Sequence, residues 1–260
     1  MPSATTPALR KSLVLRQRVS GPDDPATLSL LNTLAVVVEG EGRIPEAKVL
    51  FRQSLASLNR VLEADHPKTL ATYSNLGRIA VEQKNLAEAE QVFRIAIEKC
   101  SKTQAPEFPT SLAIKENLGS ILGMEKKLPE SEKVLRDPLG IELRKGGPDA
   151  PITFHVEEDL ALTMAKAGSA AEAESLYRRA VEGATRSEGP EVADALYNYA
   201  DGMAILGRRE AAFQRLQEAL DHGFSNADQF AAEADFQSLH SDPHFENLVS
   251  MARKAAASHP

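Results

Sequence analysis

Apolar residues along this chain fall at steps of three and four. Leu28, Leu31, Leu34, Ala35 and Val38 form one such stripe, and Ala47, Leu50, Phe51, Ser54, Leu55 and Leu58 form a second. This spacing places each set on one face of an α-helix, so the two stripes predict a helical hairpin turned at the polar pair Gly42-Arg43. The pattern then repeats every 42 residues, carrying Leu34-Ala35 to Leu76-Gly77, Leu118-Gly119 and Leu160-Ala161. Ala47 recurs as Ala89, Ser131 and Ala173, and Phe51 recurs as Phe93, Leu135 and Tyr177. A fifth unit follows at a step of 39, with Tyr199-Ala200, Ala212 and Leu216 in the equivalent places. The three missing residues therefore fall in the connector between Val181 and Pro190.

Local chemistry agrees with the periodicity. Pro25, Pro67, Pro109, Pro151 and Pro190 suit the first turn of each leading helix, where the absent N–H has no intrahelical partner to lose. Gly42-Arg43, Lys84-Asn85, Lys126-Lys127, Gly168-Ser169 and Gly207-Arg208 suit the turn that follows a helix C-terminus. Small residues opposite large ones let paired helices approach closely. A single hairpin buries too little apolar surface to offset its ordering cost, so stability requires a stack of neighbours. The expected fold is all-α.

The leading segments "LNTLA", "YSNLG" and "KENLG", followed by "GRIPEAKVLFRQSL" and "KNLAEAEQVFRIAI", resemble the tetratricopeptide repeat. The 42-residue unit with "GPDDPATL" and "ADHPKTL" ahead of the leading helix is similar to the kinesin-light-chain type. The resemblance spans residues 7–223 and implies a right-handed α-solenoid of antiparallel helix pairs, whose leading helices line a groove for peptide segments of other proteins. In that family the residue before the leading-helix Leu often offers an Asn to the ligand backbone, a position held here by Thr33, Asn75, Asn117, Asp159 and Asn198. Adjacent turns add Asn32, Arg78, Glu82, Ser120, His155, Lys166, Asp194 and Asp201, with Tyr197 on the same face. Ala113 and Asn117 stand where chaperone-binding relatives carry a basic clamp. The implied ligand is a neutral or basic segment of a protein.

Residues 1–20 read as the trailing helix of an incomplete repeat, with Leu9, Arg10 and Leu13 in the places of Phe51, Arg52 and Leu55. Residues 21–223 hold five repeats. Residues 224–260 lose the period and resemble the closing segment of many bacterial chains, with Phe230, Phe236, Leu239, Phe245 and Leu248 expected to cover the last unit. The incomplete repeat leaves two further readings open: the sensory or docking tail of a bacterial Ser/Thr kinase or other signalling enzyme, or a surface for homo-oligomer formation.

Composition narrows the function classes. The net charge of −7 opposes nucleic-acid binding, which draws on clustered Lys and Arg. No apolar run is long enough to span a bilayer. The single cysteine, Cys100, permits no internal disulfide and suits a reducing, cytoplasmic setting. No nucleotide-binding, hydrolase or zinc-protease motif is present, and neither an enzyme, a cofactor nor a metal is expected. His240 and His244 are separated by Pro243, which spoils their helical alignment, and are read as cap residues. Arg52, Arg94, Arg136 and Arg178 read as a solvated outer face with interhelix ion pairs. Two positions break the pattern. Pro138 lies within a trailing helix, and Lys115 and Glu157 replace the apolar Leu31 and Tyr73, either pairing across the stack or exposed at loosened helix starts.

Overall fold

The structure is a computed structural model that describes residues 5–62, 66–101, 109–187 and 191–258. All regular structure among these residues is helical. A lone helix, α1 (Thr5–Val19), precedes the pairs α2 (Pro25–Gly40) with α3 (Ile44–Val61) and α4 (Pro67–Glu82) with α5 (Leu86–Ser101). Next in the chain are α6 (Pro109–Met124) and α7 (Leu128–Lys145), then the pairs α8 (Pro151–Lys166) with α9 (Ala170–Arg186) and α10 (Val192–Ile205) with α11 (Arg209–Asp221). A short α12 (Ala227–Ala232), a 3-10 turn (Ala234–Phe236) and α13 (Pro243–Ser258) follow. The helices form two compact units, Met1–Ile121 and Leu122–Pro260.

The periodic prolines open their helices as the sequence predicts, at Pro25, Pro67, Pro109 and Pro151; Pro190 lies outside the described residues. Ahead of them, Asp24 accepts from the N–H groups of Ala26 and Thr27, and His66 Nδ1 accepts from that of Lys68. Each hairpin is then closed by the same main-chain device. The residues at 42, 84, 126, 168 and 207 all take positive φ, between 57° at Lys84 and 77° at Gly168. From there two N–H groups reach back into the preceding helix, as when Lys84 donates to Val81 and Asn85 donates to Ala80. This is the Schellman closure, and it favours glycine because a Cβ is strained in the left-handed region. Lys84 and Lys126 occupy it without that freedom. Lys84→Gly and Lys126→Gly are each expected to stabilise the protein by about 1 kcal/mol, measured as a raised urea midpoint.

Packing follows the alternation of small and large residues. Phe51, Phe93, Leu135 and Tyr177 are all fully buried, as are Ala47, Ala89, Ser131 and Ala173 beside them. Gly77 is an extreme case, because a Cβ placed on it would lie 2.2 Å from Cζ of Phe93. In the second unit α7 runs on through Pro138 and Leu139 stays buried, so no residue is inserted there. Phe224, Phe230, Phe236, Leu239, Phe245 and Leu248 join one core with α10 and α11 and cover the last repeat. The Tyr197 ring stacks on Phe224 at 4.5 Å. His244 stacks on Phe213 and His240 sits beside Phe245, both as part of this closing segment.

Charged residues line the outer surface in the repeat rhythm. Arg10 pairs with Glu46, Arg52 with Glu88 at 2.7 Å, and Arg136 with Glu172 at 2.7 Å, each linking a trailing helix to the next. Arg94 and Arg178 pair with Glu90 and Glu174 on their own helices. Exposed pairs of this kind contribute about 0–1 kcal/mol each. Glu157 differs. Its side chain is 1% exposed and ion-paired with Arg179 of α9, so it is not exposed at a loosened helix start. Burial pushes its carboxyl above the ordinary range, while Arg179 pulls in the opposite direction.

Candidate functional site

The leading helices give each unit a polar face. In the first unit α2 and α4 are joined across neighbouring repeats. Lys68 Nζ donates to Ser29 Oγ at 2.7 Å, Thr72 Oγ1 donates to Asn32 Oδ1 at 3.4 Å, and Arg78 donates to Glu39 at 2.6 Å. Leu28, Ser29, Asn32, Leu58, Lys68 and Thr72 line a cleft of about 170 Å³ between these helices. Arg78 also bridges to Glu82 at 2.8 Å on its own helix, leaving both side chains on the exposed rim.

The positions expected to present amides do not behave alike. Asn75 is half-buried, and its side chain makes no hydrogen bond to another of the described residues. Asn117 turns back, its Nδ2 donating to the Ala113 carbonyl at 2.6 Å, and Thr33 Oγ1 likewise donates to the Ser29 carbonyl. Ser120 bonds the Glu116 carbonyl at 3.2 Å. Of the first unit's candidates, Asn75 therefore retains the most unspent hydrogen-bonding capacity, with two donors and an acceptor on one planar group.

In the second unit the face of α8 and α10 is acidic. Asn198 Nδ2 donates to Glu158 at 3.2 Å, and His155 Nδ1 stands 3.6 Å from the same carboxylate. Asp159 is half-buried beside them in sequence, Asp194 is exposed, and Lys166 is half-buried. Asp201 lies at the end of this face, where the segment after α12 brings Glu233 and Asp235 to it; one carboxylate oxygen from each of the three lies within 4.8 Å of the others. Burial first, then Asp235 and Glu233, push the Asp201 carboxyl up to about 7, while Lys166 pulls it down. Tyr197, expected on the open face, is instead 3% exposed and covered by the closing segment, because its ring completes the aromatic cluster there.

Glu233 and Asp235 were not legible as site residues. They belong to the stretch where the period fails, so no repeat position marked them. Their only sequence signal is a pair of acidic residues, at 233 and 235, in an otherwise aromatic-rich segment.

The family model described as Tetratricopeptide repeat matches residues 38–101 and 153–222. Among solved structures, BtubC (BKLC) from P. vanneervenii superimposes with a TM-score of 0.71 at 18% identity, over 84% of this chain and 89% of that one. A Podosopora anserina protein with nearly identical TPR-like repeats, assigned as a kinesin light chain, gives 0.64 at 22% identity over 76% and 95%. YrrB, described as a TPR protein with an unusual peptide-binding site, gives 0.51 at 17% identity over 85% and 93%. No curated protein matches the sequence. At these identities the solved structures speak for the fold alone. Among the described residues no helix is long and apolar enough to cross a membrane.

Proposed function

This chain belongs to the tetratricopeptide-repeat family, and from that premise we propose that it is a non-enzymatic interaction module whose leading-helix faces bind a peptide segment of a partner protein. The observation that carries this reading is the unspent Asn75 amide on α4, set among side chains already fixed by bonds between repeats. A preformed polar face loses little entropy on binding, and an amide can pair with an extended backbone whatever its sequence. The peptide-binding site described for YrrB supports the use of such a fold for this purpose. The acidic surplus of Glu158, Asp159 and Asp194 on the second unit favours a neutral or basic segment over an acidic tail.

A peptide array probed with the whole chain tests the proposal. Neutral and Lys- or Arg-containing peptides are expected to dominate, and dominance by Glu- and Asp-rich peptides would count against it. For a selected peptide, Asn75→Ala is expected to weaken binding about three- to tenfold, the effect of one or two lost hydrogen bonds. Asn117→Ala should leave the affinity nearly unchanged, because that amide is already engaged with its own helix. Equal losses in both variants, or in neither, would overturn the assignment of Asn75.

A further inference from the structure

We propose that the exposed face of α1 docks an amphipathic helix of a partner protein, one that sets a carboxylate among small or aliphatic residues, in the place that a leading helix takes beside α3 and α9. Shifting by 42 residues puts Ala8, Ser12 and Arg16 on Leu50, Ser54 and Leu58 of α3. All three α3 residues are buried, as are Ala180 and Ala184, which stand for Ser12 and Arg16 in α9. Leading helices cover this face. Leu58 lines one cleft with Leu28 of α2, and a Cβ on Gly183, the equivalent of Leu15, would lie 3.3 Å from Cδ1 of Phe154 on α8. In α1, by contrast, Ala8, Ser12, Leu15 and Arg16 are all exposed, and their steps of three and four put them on one side of the helix.

The side chains on that face select the occupant. Leu15 is 62% exposed and Val19 77%, while the small Ser12 and Ala8, one and two turns back, let a second helix approach closely. Along the edge of the face runs an open groove of about 390 Å³, lined by Arg10, Lys11, Val14, Leu15 and Arg18. Arg10 is already paired with Glu46. Lys11, Arg16 and Arg18 make no ion pair with a described residue, and α1 itself carries no acidic residue. Arg16 decides the chemistry, because it stands where Leu58, Cys100 and Ala184 are buried. A helix seated there would cover the guanidinium, and a covered guanidinium requires a carboxylate beside it. Lys11 and Arg18 on the rim attract the same charge. A second copy of α1 would instead set Arg16 and Arg18 against like charges, which disfavours pairing of α1 with α1.

Docking on α1 differs from binding on the leading-helix faces in both shape and charge. It takes a helix instead of an extended segment, and an acidic one instead of a neutral or basic one. Either can fail without the other.

The test uses the whole chain and two fluorescently labelled peptides that copy α4, itself a leading helix, one with Leu70→Glu and one with Leu70→Lys. Leu70 holds the place of Leu28, so a peptide seated in register brings its new charge to Arg16. By fluorescence anisotropy the Leu70→Glu peptide is expected to bind about tenfold more tightly than the Leu70→Lys peptide, with the difference shrinking at high salt. Arg16→Glu in the protein should reverse this preference, and Leu15→Asp should weaken the Leu70→Glu peptide about tenfold. Both positions are exposed, so the helical circular dichroism of these variants should be unchanged. No binding of the Leu70→Glu peptide up to about 1 mM, equal binding of the two peptides, or binding untouched by Leu15→Asp would overturn the proposal. So would self-association of the protein that Leu15→Asp abolishes, which would give the face to a second copy.

Discussion

Arg179→Met is expected to destabilise the protein by about 2–3 kcal/mol, whereas Glu157→Leu should be neutral or stabilising. The asymmetry follows from where the two charges sit. The Glu157 side chain is 1% exposed and that of Arg179 is 45% exposed, so losing the arginine strands a buried carboxylate while losing the glutamate leaves a guanidinium that water can reach. Breaking a buried pair by removing one partner commonly costs about 3–5 kcal/mol, and the partial exposure of Arg179 places this case below that range. The repeat supplies its own precedent for the apolar replacement, since Leu31 and Tyr73 hold the equivalent position and are buried.

Acidity should modulate the arginine variant in a defined direction. Burial already holds the Glu157 carboxyl above its unfolded value, and without Arg179 it moves higher. The folded state then keeps a proton that the unfolded state releases. Stability from this group is therefore greatest below the unfolded pKa and is lost as pH rises through the folded one. Urea unfolding should show a larger defect for Arg179→Met at pH 8 than at pH 5. A defect independent of pH, or an equally large one in Glu157→Leu, would rule out the stranded charge as its cause.

Gly77→Val should cost about 3 kcal/mol, at the upper end of what overpacking produces. Three atoms of the Phe93 ring lie 2.2–2.7 Å from where a Cβ would stand, and that ring is itself fully buried. Phe93→Leu in the same chain should recover part of the loss, since the third repeat combines Gly119 with Leu135. A double-mutant cycle would then show coupling between the two sites. Gly40 serves as the control: nothing lies within 4 Å of its missing Cβ, so Gly40→Ala should be neutral or slightly stabilising. Additive losses at Gly77 and Phe93 would mean that the ring and the glycine do not constrain each other.

The fold was legible because each repeat states it again. Leu34 with Ala35, Ala47 with Phe51, and the turn at Gly42 recur with their spacing intact, and a single ambiguous position is corrected by its equivalents. Even Pro138 could be placed correctly, because Leu139 kept step beyond it. The candidate site was less legible for two physical reasons. Side-chain bonding within a helix depends on rotamers that the repeat does not specify, so Asn75 and Asn117 look alike in sequence and differ in what they bond. The closing segment has no equivalent elsewhere in the chain, so neither the burial of Tyr197 nor the approach of Glu233 and Asp235 to Asp201 had a periodic signal.

The hairpin turns carry a consequence for how the molecule is made. Each is closed by main-chain bonds spanning five residues or fewer, as at Gly42 and Arg43, and the helices they join are adjacent in sequence. Contacts of such short range form early and cheaply, so folding should be rapid and local in order. During synthesis, a repeat that has left the ribosome already holds every residue of its own hairpin and can begin to fold before its successor has been translated.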